Sequence, residues 1–133
     1  MSSISGTRAA GARVAVTGAA SGIGAATARL LQSQGWRVAC LDRNPAGARA
    51  TAGQNGVAVE VDVADETSVA RAFKEVDAAF GGLDALVTAA GIINTTPFFE
   101  TTVAELRKLF DVNVIGSFPV SYTHLTLPTI LRV

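Results

Sequence analysis

A chain of 133 residues, 49% apolar and 17% charged, is the size of one domain and too apolar for intrinsic disorder. Lys plus Arg and Asp plus Glu both number 11, so the formal net charge is zero, which leaves no electrostatic footprint for nucleic acid or an anionic membrane surface. Ala and Val supply 24 and 15 of the residues, a helix former and a strand former, so the composition leans to mixed α/β.

The first eleven residues, MSSISGTRAAG, lack the apolar run of a signal peptide and are expected to form a flexible N-terminal tail. Arg13 to Thr17 (RVAVT) reads as a strand that breaks at Gly18. Gly22 to Gln34 follows as a helix, with Ile23, Ala26, Leu30 and Leu31 on one side and Gly35 as a stop. Arg37 to Asp42 (RVACLD) is a second strand, ended by an Asn44-Pro45 turn, and Ala46 to Ala52 is a short helix. Val57 to Val63 (VAVEVDV) is a third strand. Asp65 has the place of an N-cap, and Val69, Phe73, Val76 and Phe80 recur at the spacing of one helical face, with Gly81 and Gly82 closing that helix. Leu83 to Thr88 (LDALVT) is a fourth strand, closed by Ala89-Ala90-Gly91. A loop runs from Ile92 to Glu100. Thr102 then caps a last helix in which Val103, Leu106, Phe110 and Asn113 share a face.

Helices alternating with strands imply right-handed crossovers and a parallel sheet covered on both faces, and the strands are continuously apolar, as such a sheet requires. One cysteine, Cys40, excludes an internal disulfide, and no Cys/His cluster has metal-ligand spacing. No stretch approaches the length of a transmembrane helix, so the expectation is a cytoplasmic protein without membrane contact.

The strongest chemical signal is TGAASGIG, Thr17 to Gly24, lying between a strand and a helix where a phosphate-binding turn belongs. Gly18 lets the chain turn sharply, Gly22 removes a side chain where a pyrophosphate would approach, and Gly24 lets the helix pack close to the strand. Asp42 ends the second strand 24 residues after Gly18, placed to accept hydrogen bonds from ribose hydroxyls and to repel a 2′-phosphate. Arg43 pulls the other way, since a guanidinium pairs with phosphate, but Ser21 before the second glycine adds no positive charge. NAD is therefore expected over NADP. Asp62 closes the third strand, at the carboxyl end of the sheet, and is placed to accept the adenine amino hydrogen.

TGAASGIG, Asp42, VDVAD around Asp62, LVTAAG from Leu86 to Gly91 and DVNVIGSF from Asp111 to Phe118 together resemble the short-chain dehydrogenase/reductase family, over residues 10 to 118. The resemblance implies a Rossmann-type doubly wound parallel sheet of order 3-2-1-4, stopping before a fifth strand, with a dinucleotide-binding domain over 12–118. It implies hydride transfer between NAD(P) and an alcohol or ketone, in a parent that is a homodimer or homotetramer. Carried over by position, Gly18, Ser21, Ile23, Gly24, Asp42, Asp62, Val63, Ala90 and Gly91 would line the cofactor, beside Gly22 and Arg43 from the residue reading above. Asn113 would be the catalytic helix asparagine, holding the water of a proton relay. The family's Asn-Asn-Ala-Gly is Thr88-Ala89-Ala90-Gly91 here, with Thr88 left to tie strand backbone together. A polar residue on an apolar helical face is costly unless paired, so Asn113 is expected to have a partner.

The family's catalytic Ser and Tyr-x-x-x-Lys have no counterpart in the sequence: Tyr122 is the one tyrosine, Lys108 is the last lysine, and neither the adjacent Ser121 and Tyr122 nor the lone His124 is assigned a role. The chain itself is therefore expected to be inactive. Pro119 is expected to interrupt the last helix. From there PVSYTHLTLPT, Pro119 to Thr129, resembles a translated transposon-end adaptor, and 119–133 is expected to be a non-native tail. A non-catalytic nucleotide-binding sensor is the alternative reading. A methyltransferase is disfavoured, because TGAASGIG with Thr88 to Gly91 has no place in that pattern.

Overall fold

The computed structural model describes residues 11–126, with side chains through 123. Most of the expected N-terminal tail, residues 127–133 of the expected non-native segment and the His124 side chain lie outside the described residues.

Four strands form one parallel sheet: β1 (Arg13–Thr17), β2 (Arg37–Asp42), β3 (Val57–Glu60) and β4 (Ala85–Thr88), in the order β3-β2-β1-β4. Helices α1 (Gly22–Ser33), α2 (Pro45–Ala52) and α3 (Glu66–Phe80) make the crossovers. A 3₁₀ turn at Phe98–Glu100 and helix α4 (Val103–Phe110) follow, then a π-helical turn (Asp111–Ile115) and α5 (Ser117–Thr126). The alternation of elements predicts the parallel sheet, and its strand order is that of the doubly wound Rossmann-type fold that the family resemblance implies.

Successive strand residues serve opposite faces, and the central strands β1 and β2 are buried on both. Val14, Val16, Val38 and Cys40 pack with Ala28 of α1 and with Ala48 and Ala52 of α2. Ala15, Ala39, Leu41 and Val59 pack on the other side with Val69, Phe73, Val76 and Phe80 of α3. Caps fix where the helices begin. Asp65 accepts the N–H groups of Thr67 and Ser68 at 3.0 and 3.4 Å, and α3 ends at Gly81 in the left-handed conformation (φ 74°). Thr102 and Glu105 form a reciprocal capping box that starts α4.

Four local expectations are corrected. The inner face of α1 is Gly24, Ala25 and Ala28, while Ile23 and Leu30 are exposed, because the helix sits too close to the sheet for large side chains. The third strand stops at Glu60 rather than Val63: the Val61 N–H still donates to the Asp42 carbonyl, but the next N–H, that of Asp62, leaves the sheet for the Ser68 hydroxyl. The fourth begins at Ala85, after Asp84 accepts hydrogen bonds from the backbone and guanidinium of Arg13. Helix α5 runs on through Pro119, which falls in its first turn, where a missing N–H costs little. Val120 beyond it is fully buried in the core. Val103, Leu106 and Phe110 stay 48–64% exposed, so the apolar face of α4 lacks a partner surface among the described residues.

Candidate functional site

Parallel register sets Thr17 beside both Leu41 and Thr88, and Asp42 beside Glu60. The strands therefore end at one edge, and the loops leaving them face one another, where open α/β sheets bind ligands. A cleft of about 370 Å³ opens there. It gathers all eleven residues that the sequence singles out for a cofactor: Gly18, Ser21, Gly22, Ile23, Gly24, Asp42, Arg43, Asp62, Val63, Ala90 and Gly91. Val61, Ala89, Ile92 and Val112 complete the wall. Val61 and Ala89 lie inside the VDVAD and LVTAAG motifs without an assigned cofactor role, and Ile92 adjoins Gly91 by chain order alone. Val112 arrives from the π-turn, which has no periodic signal.

The glycine turn is shaped by contacts only glycine permits. Gly18 has φ +70°, and a Cβ there would stand 2.6 Å from the Ala89 carbonyl oxygen. A Cβ on Gly24 would collide with the carbonyl of Gly18, which is how the helix comes so near the strand. Gly22 differs: with φ +57°, nothing lies within 4 Å of a Cβ position, so the space above it is open. Helix α1 begins here with no side-chain cap and no acid in its first turn, so its positive end opens on the cleft without a cap of its own. An open cradle over glycine at an uncapped helix start fits a dinucleotide diphosphate.

Both acids are anchored by backbone. Asp42 accepts from the N–H of Ala20 at 3.0 Å and from that of Asn44 at 2.9 Å. Asp62 accepts from the N–H of Ala64 at 3.0 Å, and its own N–H donates to the buried Ser68 hydroxyl at 2.9 Å. The tie between strand ends is made by Thr17 rather than Thr88: the buried Thr17 hydroxyl accepts from the N–H groups of Ala89 and Ala90 at 3.2 and 3.4 Å, while Thr88 is exposed.

Asn113 lies outside the cleft wall but is joined to it. Its Oδ1 accepts from the Ile92 N–H at 2.7 Å and its Nδ2 donates to the Ile92 carbonyl at 2.8 Å. This is the partner its polarity demands, and it sits at the π-turn. Among the described residues no group of three His, Cys, Asp or Glu could hold a metal ion, and no helix is long and apolar enough to cross a membrane.

The sequence pattern of short chain dehydrogenases matches residues 12–130. Cis-4-hydroxycyclohexanecarboxylate dehydrogenase of Sinomonas cyclohexanicum is 45% identical over 111 residues, covering 78% of this chain and 45% of the relative. The 3-oxoacyl-[acyl-carrier-protein] reductase of Bos taurus is 39% identical over 106 residues, covering 77% and 45%. A crystal structure of a dehydrogenase/reductase from Sinorhizobium meliloti superposes with a TM-score of 0.83 at 35% identity, covering 92% of this chain and 52% of that one. The chain thus spans about half the length of the proteins it matches. With a matched pattern over most of its residues and the corresponding sheet, the chain belongs to the short-chain dehydrogenase family.

Proposed function

We propose that this chain is the nucleotide-binding half of an NAD-dependent oxidoreductase acting on an alcohol or ketone. One observation carries the reading: the open glycine cradle at Gly22 and the carboxylate of Asp42 line the same cleft. In this reading the N–H groups at the start of α1 bind the diphosphate, with Gly18 and Gly24 holding the turn in shape. Asp42 accepts the ribose hydroxyls, and Asp62 accepts the adenine amino group. Val63, Ala90 and Gly91 form the walls along the dinucleotide. The nicotinamide, when bound, supplies the hydride acceptor or donor for a substrate carbon.

Asn113 fixes the Ile92 backbone and so positions the segment after β4. One N–H and one lone pair of its amide remain for the relay water that the family resemblance implies. The choice of NAD rests on Asp42, whose charge opposes a 2′-phosphate, against Arg43 in the same cleft, which attracts one.

Titration calorimetry of the 133-residue chain with NAD and NADP tests the reading. Saturable one-to-one binding, tighter for NAD, is expected, with no turnover of alcohols, since the sequence has no Tyr-x-x-x-Lys to supply the proton. Tighter binding of NADP would give the decision to Arg43. Absence of saturable binding by either would overturn the proposal.

A further inference from the structure

The two hydrogen bonds at Asp42 carry a consequence for how the site is built. The carboxylate does not hang free at the end of β2 awaiting a ribose. Its Oδ2 holds Ala20, inside the glycine turn, and its Oδ1 holds Asn44, the N-cap of α2. Asn44 in turn accepts the Gly47 N–H at 3.1 Å, and the N–H of Ala19 donates to the Leu41 carbonyl at 3.2 Å. The glycine turn, the end of β2 and the start of α2 are thus joined through a single carboxylate.

We infer that Asp42 is a positioning residue for the phosphate-binding turn as well as a ribose acceptor, so that its removal weakens ligands that have no ribose hydroxyl to offer. An ionised carboxylate has about four acceptor sites on its two oxygens. Two are taken by backbone N–H groups, which leaves two for the paired hydroxyls of one ribose. Donors and acceptors then match, and a 2′-phosphate would bring negative charge to a group whose remaining lone pairs need donors. This inference rests on the reading of the cleft as a dinucleotide site.

The test compares wild type, Asp42→Ala and Asp42→Asn in the full chain with two measurements. The first is backbone amide exchange without ligand. In Asp42→Ala, Ala20 and Asn44 lose protection together while the β1–β2 ladder keeps its own, so loss of fold is distinguished from loss of the clamp. In Asp42→Asn, one acceptor oxygen remains, and protection returns at one of the two amides. The second is binding of ADP and of its 2′,3′-dideoxy analogue. Asp42→Ala weakens the dideoxy analogue about tenfold, the size expected for one hydrogen bond to a charged group. Unchanged protection at Ala20 and Asn44 overturns the clamp whether or not nucleotide binds. Dideoxy-ADP bound equally by wild type and Asp42→Ala confines Asp42 to ribose recognition and overturns it too. Failure of the wild type to bind either nucleotide, with the amides deprotected as expected, overturns the dinucleotide reading alone.

Discussion

Asn113 and Ile92 are bound to each other as two strand residues would be, but with a side-chain amide in place of one backbone. Asn is suited to this because its amide carries a donor and an acceptor in a plane, like a peptide group. The bond pair spans 21 residues and fastens the segment leaving β4 to the π-turn. Asn113→Ala is expected to speed amide exchange at Ile92. Asn113→Asp keeps the acceptor but, ionised above about pH 4, sets a carboxylate against the Ile92 carbonyl, so it should loosen the segment at neutral pH and restore part of the protection in acid. Equal exchange at Ile92 in wild type and Asn113→Ala would show that the segment is held by other contacts.

The glycines of the turn should differ in what they tolerate. Gly24→Ala places a methyl against the Gly18 carbonyl, and overpacking of this kind costs about 1–3 kcal/mol. Gly22→Ala meets open space and bears only the cost of a positive φ, of order 1 kcal/mol. Denaturant midpoints should therefore rank wild type, Gly22→Ala, Gly24→Ala. Nucleotide binding should suffer in Gly22→Ala despite its milder instability, because the methyl enters the cradle.

How much of this was legible in the sequence depends on the distance between partners. Caps at Asp65 and Thr102, the α3 face from Val69 to Phe80, and the gathering of loop residues at one sheet edge all follow from local pattern plus the parallel topology. The inner face of α1 did not, because periodicity weighs large apolar side chains, and here Gly24, Ala25 and Ala28 are chosen for being small. The partners of Asp42 and Asn113 are backbone groups, which any residue carries, so no sequence pattern marks them. Pro119 misled for a related reason: whether proline breaks a helix depends on its turn, and the first turn begins only two residues earlier.

Acid should destabilise the fold through two carboxylates. The Arg13 guanidinium and backbone hold the Asp84 carboxyl below its usual range, and the Thr102 N–H and hydroxyl do the same for Glu105. A carboxylate with a depressed folded-state value binds fewer protons folded than unfolded. Its contribution is complete above the unfolded value, near pH ~4, and disappears as pH falls through the folded value. Asp84 is exposed and Glu105 only half-buried, so solvent screens both and the effect is small. Thermal midpoints should be level near neutrality and fall below pH ~4. Asp84→Asn should flatten that fall, and an unaltered acid limb in this variant would exclude the Arg13 pair as a cause.

In the observed sheet β4 has one neighbour, β1, and its Leu86 and Val87 are only half-buried. Phe110 at the end of α4 and Phe118 in α5 are a further 52% and 69% exposed. An apolar strand edge of this kind is a template for pairing with another chain. Sedimentation should show concentration-dependent association of the 133-residue chain, reduced by Val87→Lys. Deleting 119–133 should not restore a monomer, since it removes the buried Val120. A monomer with a sharp two-state thermal transition would refute the expectation.

Cys40 gives the molecule a clock of its own. It lies at zero exposure in β2, one strand in from the β3 edge, and burial pushes its thiol up to about 11. The thiolate is the form that reacts, so at neutral pH the folded chain is closed to alkylation by access and by protonation together. Each modified molecule is one whose sheet has opened. With a single cysteine in the sequence, the accumulated label counts those openings at one known position, and a nucleotide that steadies the glycine turn slows the count.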